Sequence, residues 1–296
     1  MRIFLRIMRA ADAVLQFYAV NRNFLPWFQL PEKSILILYS MDLWERIGIM
    51  RIIRAKDYED MSRKAANIIS AQVILNPGSV LGLATGETPI GIYRVLADWY
   101  RKGDIDFSRV RTVNLDEYCG IEPEQRQSYR YFMNENFFRH INIDLQNTYI
   151  PNGLAKDYEK ECTRYENLIS GVGGTDLQLL GLGHDGHIGF NEPGESFIPM
   201  THMASLSRRT IEANARFFGS ADEVPEYAIT MGIRTIMKAP RIVLVVSGVD
   251  KADILYRTVN GPITPAVPAS VLQLHTDTVV VADEAALSMF PAANGG

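Results

Sequence analysis

The chain has 296 residues, of which 47% are hydrophobic and 22% are charged, so it can bury the core of one large α/β domain. This composition excludes an intrinsically disordered protein, a collagen-like chain and a coiled coil. The 30 basic and 34 acidic residues give a net charge of −4, which argues against a dedicated nucleic-acid-binding protein. The two cysteines are too few for a disulfide framework or a zinc site and are typical of a reduced, cytoplasmic protein.

The first 49 residues show no clear helical or strand periodicity, whereas a regular pattern begins at Met50. We therefore expect residues 1–49 to be a leader outside the core and residues 50–296 to form a single domain. No stretch of the chain reaches the roughly 18 apolar residues that span a bilayer, so we expect no membrane association.

Short apolar strands alternate with amphipathic helices from residue 51 onward. The predicted strands are residues 52–53, 80–83, 111–115, 177–182, 241–247 and 278–282. The predicted helices begin at Asp57, Thr88, Ser128, Asp157 and Lys251, with Asp57 and Thr88 as N-caps. This alternation predicts an α/β fold with a mostly parallel sheet and helices on both faces.

Ligands of such folds bind at the carboxyl ends of the strands. The turn after the strand at residues 80–83 consists of Ala84, Thr85, Gly86, Glu87 and Thr88. Its backbone N–H groups, its two hydroxyls and the dipole of the following helix suit a phosphate. The turn lacks the Gly-Lys-Ser/Thr of the ATP-binding P-loop, and an ordinary capped helix would look the same.

Asp116 and Glu117 follow the strand at residues 111–115. Two carboxylates are costly to bury side by side, so we expect at least one shifted pKa, as a general base requires. The alternative is that Asp116 only caps a helix or a turn.

The glycine-rich segment after the strand at residues 177–182 contains two of the five histidines. His187, flanked by Asp185 and Glu192, has the pattern of an acid/base unit in which carboxylates orient the imidazole. The spacing matches no metal-binding signature, so we expect no metal. His184 is interpreted as a turn residue.

Two cations could bind an anion at this site. Arg216 lies among aromatic residues, and Lys251 follows the predicted strand at residues 241–247. Either could be an ordinary surface residue, but arginine can bind a phosphate through two parallel hydrogen bonds.

Five stretches, in this order, resemble the glucosamine-6-phosphate deaminase (isomerising) family: LGLATGETP at 81–89, NLDEY at 114–118, GHIGFNEP at 186–193, NARFF at 214–218 and VPASVLQ at 267–273. The resemblance covers residues 50–290 approximately. It implies a Rossmann-like fold and conversion of D-glucosamine 6-phosphate and water to D-fructose 6-phosphate and ammonia, in amino sugar catabolism. It implies no cofactor.

The resemblance also implies roles for the candidate residues. His187 would assist opening of the sugar ring, supported by Asp185 and Glu192. Asp116 would move a proton from C2 to C1 of the open sugar. The turn at residues 84–88, with Arg216 and Lys251, would hold the phosphate.

Three positions depart from the family pattern. Glu87 lies where relatives often have glycine or serine, and a carboxylate beside a phosphate weakens binding unless it points away. Cys119 replaces an expected apolar residue and is interpreted as a small core residue. Residues 195–204 contain no Arg or Lys, whereas allosteric members carry basic residues there, so we expect no activation by an acetylated sugar phosphate.

Three other functions are alternatives to the deaminase. A 6-phosphogluconolactonase would continue its Asp-Gly-His segment differently from Phe-Asn-Glu-Pro. A sugar-phosphate sensor of a transcriptional regulator would need a helix-turn-helix and has no need of Asp116 and His187 together. A sugar-phosphate isomerase that releases no ammonia stays open on sequence alone, as does assembly into a homo-oligomer.

Overall fold

The computed structural model describes residues 50–291, so the expected leader, residues 1–49, lies outside the described residues. The described strands are β1 (Arg51–Ala55), β2 (Val80–Leu83), β3 (Arg111–Asn114), β4 (Asp116–Tyr118), β5 (Thr148–Tyr149), β6 (Leu177–Gly181), β7 (His202–Ser205), β8 (Tyr227–Thr230), β9 (Arg241–Val246) and β10 (Thr278–Asp283). The described α-helices are α1 (Tyr58–Leu75), α2 (Ile90–Lys102), α3 (Tyr129–Asn136), α4 (Tyr158–Gly171), α5 (Arg208–Phe218), α6 (Ile233–Met237) and α7 (Ala252–Asn260).

Seven strands form a parallel sheet in the order β1-β10-β9-β6-β2-β3-β5. The α/β fold with a mostly parallel sheet is therefore confirmed. The chain runs outward from β2 through β3 to β5, and then returns to the other side of β2 and continues through β6 to β9 and β10. Such a reversal opens a crevice at the carboxyl ends of the adjacent central strands, here β2 and β6.

A second sheet of three antiparallel strands, β4-β8-β7, was not predicted. Leu115 joins the two sheets: its N–H donates to Leu83 O in the parallel sheet, and its carbonyl accepts from Met231 N at 2.7 Å. The chain therefore leaves the large sheet at Leu115 and enters the small one at Asp116.

Three helices begin where the sequence predicts. The side chains of Asp57, Ser128 and Asp157 each accept a hydrogen bond from a backbone N–H in the first turn, which stabilises the helix start. The helix α3 stops at Asn136, and Ile141 is buried beyond its end.

The predicted N-cap of α2 is wrong. Thr88 makes no capping hydrogen bond; Pro89 occupies the cap position, and the phenol oxygen of Tyr58 accepts from Gly91 N at 2.8 Å. A side chain of α1 thus satisfies a free N–H at the start of α2.

The core is built on strands buried on both faces, as in other parallel sheets. All six residues of β10 and five of the six in β9 are buried, and most are valine, isoleucine or leucine. Among residues 50–291, no helix combines the length and the apolar character that a membrane span needs.

Candidate active site

A cavity of about 470 Å³ lies at the carboxyl ends of β2, β3, β6 and β9, which is a common size for small-molecule sites. Ten of the eleven predicted site residues line it: Ala84, Thr85, Gly86, Glu87, Thr88, Asp116, Asp185, His187, Arg216 and Lys251. Four adjacent strands thus bring together side chains from distant parts of the sequence.

Asp116 lies at the inner end of this cavity and is only 5% exposed. Its backbone pairs with Thr230 across the small sheet. Burial, and then the neighbouring charge of Glu117, raises the pKa of Asp116 well above its usual value. A carboxylate of this kind has the raised proton affinity that a general base needs.

Glu117, rather than Asp116, accepts the backbone N–H groups at the start of the neighbouring helix. The Glu117 carboxylate accepts hydrogen bonds from the backbone N–H groups of Tyr118, Tyr129 and Arg130 at 2.9–3.0 Å. Burial raises the pKa of Glu117 to about 7 in spite of these donors. Successive residues of β4 point to opposite faces, which separates the two roles.

His187 is held by Asp185. The imidazole Nδ1 lies 2.7 Å from Asp185 Oδ1, which also accepts from the His187 backbone N–H at 3.1 Å. Burial acts to raise the pKa of Asp185, but contact with His187 outweighs it and lowers that pKa to about 2. A carboxylate at Nδ1 favours the tautomer that leaves Nε2 as the proton acceptor.

Two glycines make room for the catalytic candidates. A Cβ on Gly183 would lie 2.3 Å from the His187 ring, so only glycine lets the imidazole pack there. Gly189 has a φ of +59° and a Cβ there would lie 3.3 Å from Asp116 Oδ2. Its left-handed backbone brings the histidine loop next to the carboxylate.

The histidine loop is fixed to the small sheet by side chains that the sequence analysis missed. Thr230 Oγ1 accepts from Phe190 N at 3.0 Å, and Asn191 Nδ2 donates to Met231 O at 2.7 Å. The strand that pairs with Asp116 therefore also positions the loop of His187.

Glu192 lies elsewhere. Its Oε2 accepts from the backbone N–H of Ser207, the N-cap of α5, at 3.1 Å. Glu192 is not one of the described residues that line the cavity. Direct support of His187 by Glu192 stays a prediction, whereas the contact with Asp185 is present.

The turn at residues 84–88 lines the cavity as predicted, but the start of α2 contributes less than expected. The N–H of Gly91 donates to the Tyr58 hydroxyl, and Ile90 N donates to Glu87 O. The hydrogen-bond donors available at this end of the cavity therefore lie in the turn itself, in its peptide N–H groups and threonine hydroxyls.

Arg216 and Lys251 both line the cavity and both contact other polar groups. An Arg216 Nη2 lies 3.0 Å from Glu87 Oε2. The Lys251 ammonium donates to Leu182 O at 2.8 Å and lies 3.0 Å from His184 Nδ1. The Arg216 side chain is 61% exposed, whereas Asp116 is only 5% exposed, so Arg216 marks the solvent end, or mouth, of the cavity.

His184 lies in a turn, as predicted, and its side chain also contacts two residues that follow β9. Its Nε2 lies 2.7 Å from Asp250 Oδ2 while its Nδ1 faces Lys251. An ammonium can only donate, so His184 Nδ1 accepts from Lys251 and Nε2–H donates to Asp250. The signal available in the sequence was a histidine next to Asp185 and a carboxylate next to Lys251.

Tyr129 is a further lining residue that the sequence analysis did not select. Its ring stacks on Phe190 with a centroid distance of 6.1 Å. Burial raises the pKa of Tyr129 well above its usual value, so it presents a neutral hydroxyl.

Cys119 and Cys162 both have free thiols; Cys119 is half-buried and Cys162 is buried. Burial raises the pKa of Cys119 to about 11, which keeps it protonated and unreactive and agrees with its interpretation as a small packing residue. Within residues 50–291, no group of three or more His, Cys, Asp and Glu side chains has a metal-binding arrangement.

Comparison with known proteins identifies relatives along most of the chain. The model of a family described as glucosamine-6-phosphate isomerases and 6-phosphogluconolactonases matches residues 56–281. A glucosamine-6-phosphate deaminase of Lachnoclostridium phytofermentans is 62% identical over 232 residues, covering 78% of this chain and 98% of the relative. Another, of Clostridioides difficile, is 54% identical over 239 residues, covering 81% and 96%.

Solved structures give the same picture. A monomeric glucosamine-6-phosphate deaminase is 46% identical, with a TM-score of 0.79, and the match covers 81% of this chain and 100% of that chain. A 6-phosphogluconolactonase of Thermotoga maritima is 21% identical with a TM-score of 0.62, covering 79% and 99%. The latter similarity concerns the fold alone.

Proposed function

The chain belongs to the family of glucosamine-6-phosphate isomerases and 6-phosphogluconolactonases, and we propose that its cavity carries out the deaminase reaction of that family. The enzyme converts D-glucosamine 6-phosphate and water to D-fructose 6-phosphate and ammonia, the activity of its highly similar relatives. One observation carries the mechanism: a buried carboxylate, an oriented imidazole and two cations line the same cavity.

The substrate phosphate binds at the mouth of the cavity. Arg216, Lys251 and the turn at residues 84–88 supply positive charge and hydrogen-bond donors there. Arginine suits a phosphate because its planar fork donates two parallel hydrogen bonds. With the phosphate held, the sugar extends inward and its reacting carbons have a fixed position.

His187 opens the pyranose ring. The contact between its Nδ1 and Asp185 leaves Nε2 to take the proton of the C1 hydroxyl and deliver it to the ring oxygen. The resulting open aldehyde has an acidic hydrogen at C2. Asp185 stays ionised throughout, because its pKa of about 2 is far below neutral pH, and it stabilises the transient imidazolium.

Asp116 moves the proton from C2 to C1. Its carboxylate removes the C2 hydrogen while O1 takes a proton from the ammonium group of the substrate, which gives an enolamine, and Asp116 then returns the C2 proton to C1. The product is an imine at C2, which water hydrolyses to the ketone with release of ammonia. Burial and the raised pKa of Asp116 favour both halves of this transfer, since the group must accept a proton and then give it up.

The ammonia-release assay tests this function. The full chain is incubated with glucosamine 6-phosphate and, separately, with 6-phosphogluconolactone. We expect one ammonia for each fructose 6-phosphate formed, and no faster lactone hydrolysis than in buffer. Lactone hydrolysis without ammonia release would identify a lactonase, and fructose 6-phosphate formed without ammonia would exclude the deaminase reaction.

The free thiols of Cys119 and Cys162 support a further proposal, that the enzyme works in a reducing compartment such as the cytoplasm.

A further inference from the structure

The Glu87–Arg216 pair spans the mouth of the cavity, between the turn that follows β2 and the last turn of α5. The two side chains are 58% and 61% exposed, and their charged atoms lie 3.0 Å apart. The guanidinium that would bind a phosphate therefore has a carboxylate as a partner.

The backbone of Glu87 is held while its side chain stays in solvent. The carbonyl of Glu87 accepts from the Tyr58 hydroxyl at 3.1 Å and from Ile90 N at 3.2 Å. The carboxylate can therefore change partner by side-chain rotation, which takes picoseconds to nanoseconds for an exposed residue.

A second cavity offers the carboxylate another cation. It shares Glu87, Thr88 and Ser247 with the main cavity, and Arg94 also lines it. The Arg94 guanidinium lies 3.6 Å from Glu59, which is longer than a good charge-assisted hydrogen bond. Arg94 and Glu87 thus line the same second cavity, which Arg216 does not line.

We propose that Glu87 is a resident anion that occupies Arg216 in the empty enzyme and is displaced toward Arg94 when the substrate phosphate binds. Glu87 thereby determines the affinity of the enzyme for phosphorylated ligands without taking part in the chemistry. The inference rests on the proposed phosphate site at Arg216 and extends it.

The charges explain the direction of the exchange. Exposed ion pairs are weak because water screens them and two long side chains must be ordered, so the pair with Glu87 can be broken. A phosphate dianion carries more charge than a carboxylate and presents more acceptor oxygens to the guanidinium. Breaking the pair still weakens phosphate binding, since Arg216 must first lose Glu87.

Glu87→Gln tests the proposal. The amide keeps the size of the side chain and removes its charge. We expect the inhibition constant of inorganic phosphate and the KM for glucosamine 6-phosphate to fall together by about three- to tenfold. Unchanged or raised values of both constants would overturn the proposal.

Glu284→Gln is the matched control. Glu284 forms an exposed pair with Arg54 at the same N–O distance of 3.0 Å and is 57% exposed. It does not line either cavity described here. An equal fall of the phosphate inhibition constant in this variant would show a general charge effect and contradict the assignment to Glu87.

A double-mutant cycle with Arg216→Met identifies the partner. If Glu87 acts by occupying Arg216, the effect of Glu87→Gln on kcat/KM shrinks to less than about twofold once Arg216 is absent. A full effect in the Arg216→Met background would mean that Glu87 repels the phosphate directly, and the proposal would be wrong.

Arg94→Gln tests the second position of the carboxylate. Loss of this cation is expected to raise the phosphate inhibition constant in the wild-type background and to leave it unchanged beside Glu87→Gln. An effect of equal size in both backgrounds would exclude Arg94 as the alternative partner. Absence of ammonia release by the wild-type chain would instead contradict the underlying function, so the two failures are distinguishable.

Discussion

Asp116 and Arg216 line the same cavity, but Asp116 is 5% exposed and the Arg216 side chain is 61% exposed. At the inner end, burial and a neighbouring carboxylate raise the proton affinity of Asp116. At the mouth, solvent screens each charge pair and lets its members exchange partners. The fold thus uses burial to raise the proton affinity of Asp116 and leaves the charge pair of Arg216 exposed to solvent. Substitutions at the inner end should therefore change kcat, and substitutions at the mouth should change KM.

Asp116→Asn is expected to have the largest effect. The amide cannot accept the C2 proton, so kcat should fall by about 10²- to 10⁴-fold, while inhibition by inorganic phosphate stays within about twofold of wild type. Steady-state kinetics and phosphate inhibition measure the two ends of the cavity separately. Because the substitution also removes a charge that is costly to bury, the free energy of unfolding at pH 8 should not decrease.

Retention of more than about a tenth of the wild-type turnover would contradict the role of Asp116 as the proton carrier. A loss of phosphate inhibition equal to the loss of turnover would contradict the separation of the two ends.

His187→Gln should have the next largest effect. Glutamine cannot relay a proton between the C1 hydroxyl and the ring oxygen, but sugar rings also open slowly in water. We expect kcat to fall by about 10- to 100-fold, with hydrogen exchange at C2 of an open-chain analogue largely preserved. Exchange measured in deuterated water by NMR is the readout. An equal loss with the open analogue would move His187 to the later proton transfer.

Glu117→Gln should shift the pH dependence. Activity rises with pH as Asp116 loses its proton, and burial and then the charge of Glu117 raise the pKa of Asp116. Removing that charge lowers the pKa of Asp116, so the acid limb of kcat/KM should move to lower pH by up to about one unit. The limb reports the carboxylate pair rather than one residue.

Glu161→Gln is a suitable control, because Glu161 is also a buried carboxylate that accepts a backbone N–H, from Asn152 at 2.7 Å, and does not line the cavity. Its substitution should leave the acid limb in place. A shift of equal size in both variants would show that the limb does not report the neighbour of Asp116.

The pH dependence of the free energy of unfolding tests the raised pKa of Glu117 independently of activity. The pKa of Glu117 rises from 4.5 to about 7 on folding, so the folded state binds its proton more tightly than the unfolded state does. The contribution of Glu117 is therefore fully present below pH 4.5 and is lost as the pH rises through about 7. Denaturant unfolding between pH 5.5 and 8 should show a decrease that is smaller in Glu117→Gln.

The parallel sheet and the small antiparallel sheet differ in how far the sequence predicted them. The parallel sheet was predictable because its strands are short apolar runs such as residues 241–247. The small sheet was not, because β4 is the polar tripeptide Asp116–Tyr118 and its partner β8 lies far along the chain. Three polar residues are too few to show the periodicity of a strand, so β4 forms only through its pairing with the distant β8.

Charge pairs at the mouth were harder to predict than the residues that form them. Glu87, Arg216 and Lys251 were selected from the sequence, but the contact of Glu87 with Arg216 and that of His184 with Lys251 join segments distant in sequence. Exposed pairs leave no hydrophobic pattern. Thr88 was assigned the wrong role because Tyr58, from another helix, satisfies the N–H of Gly91.

Residues 195–204 bear on whether a second sugar phosphate could regulate the enzyme. Such a ligand would need cations like those at the mouth of the cavity. This segment contains no Arg or Lys, and Glu195 would repel a phosphate. Burial lowers the pKa of His202, and Met200 O contacts its ring at 2.9 Å. The imidazole is therefore neutral at pH 7 and offers no positive charge.

We expect hyperbolic saturation with glucosamine 6-phosphate and no activation by N-acetylglucosamine 6-phosphate, the smallest effect of the series. A desolvated phosphate without cationic partners is costly to bind, and residues 195–204 contain no Arg or Lys. Saturation curves at pH 7 and pH 8, with and without the acetylated sugar, measure the Hill coefficient, while sedimentation measures the oligomeric state under the same conditions. A Hill coefficient clearly above one that falls when the acetylated sugar is added would contradict the prediction and would require cations from another segment or from a second copy of the chain.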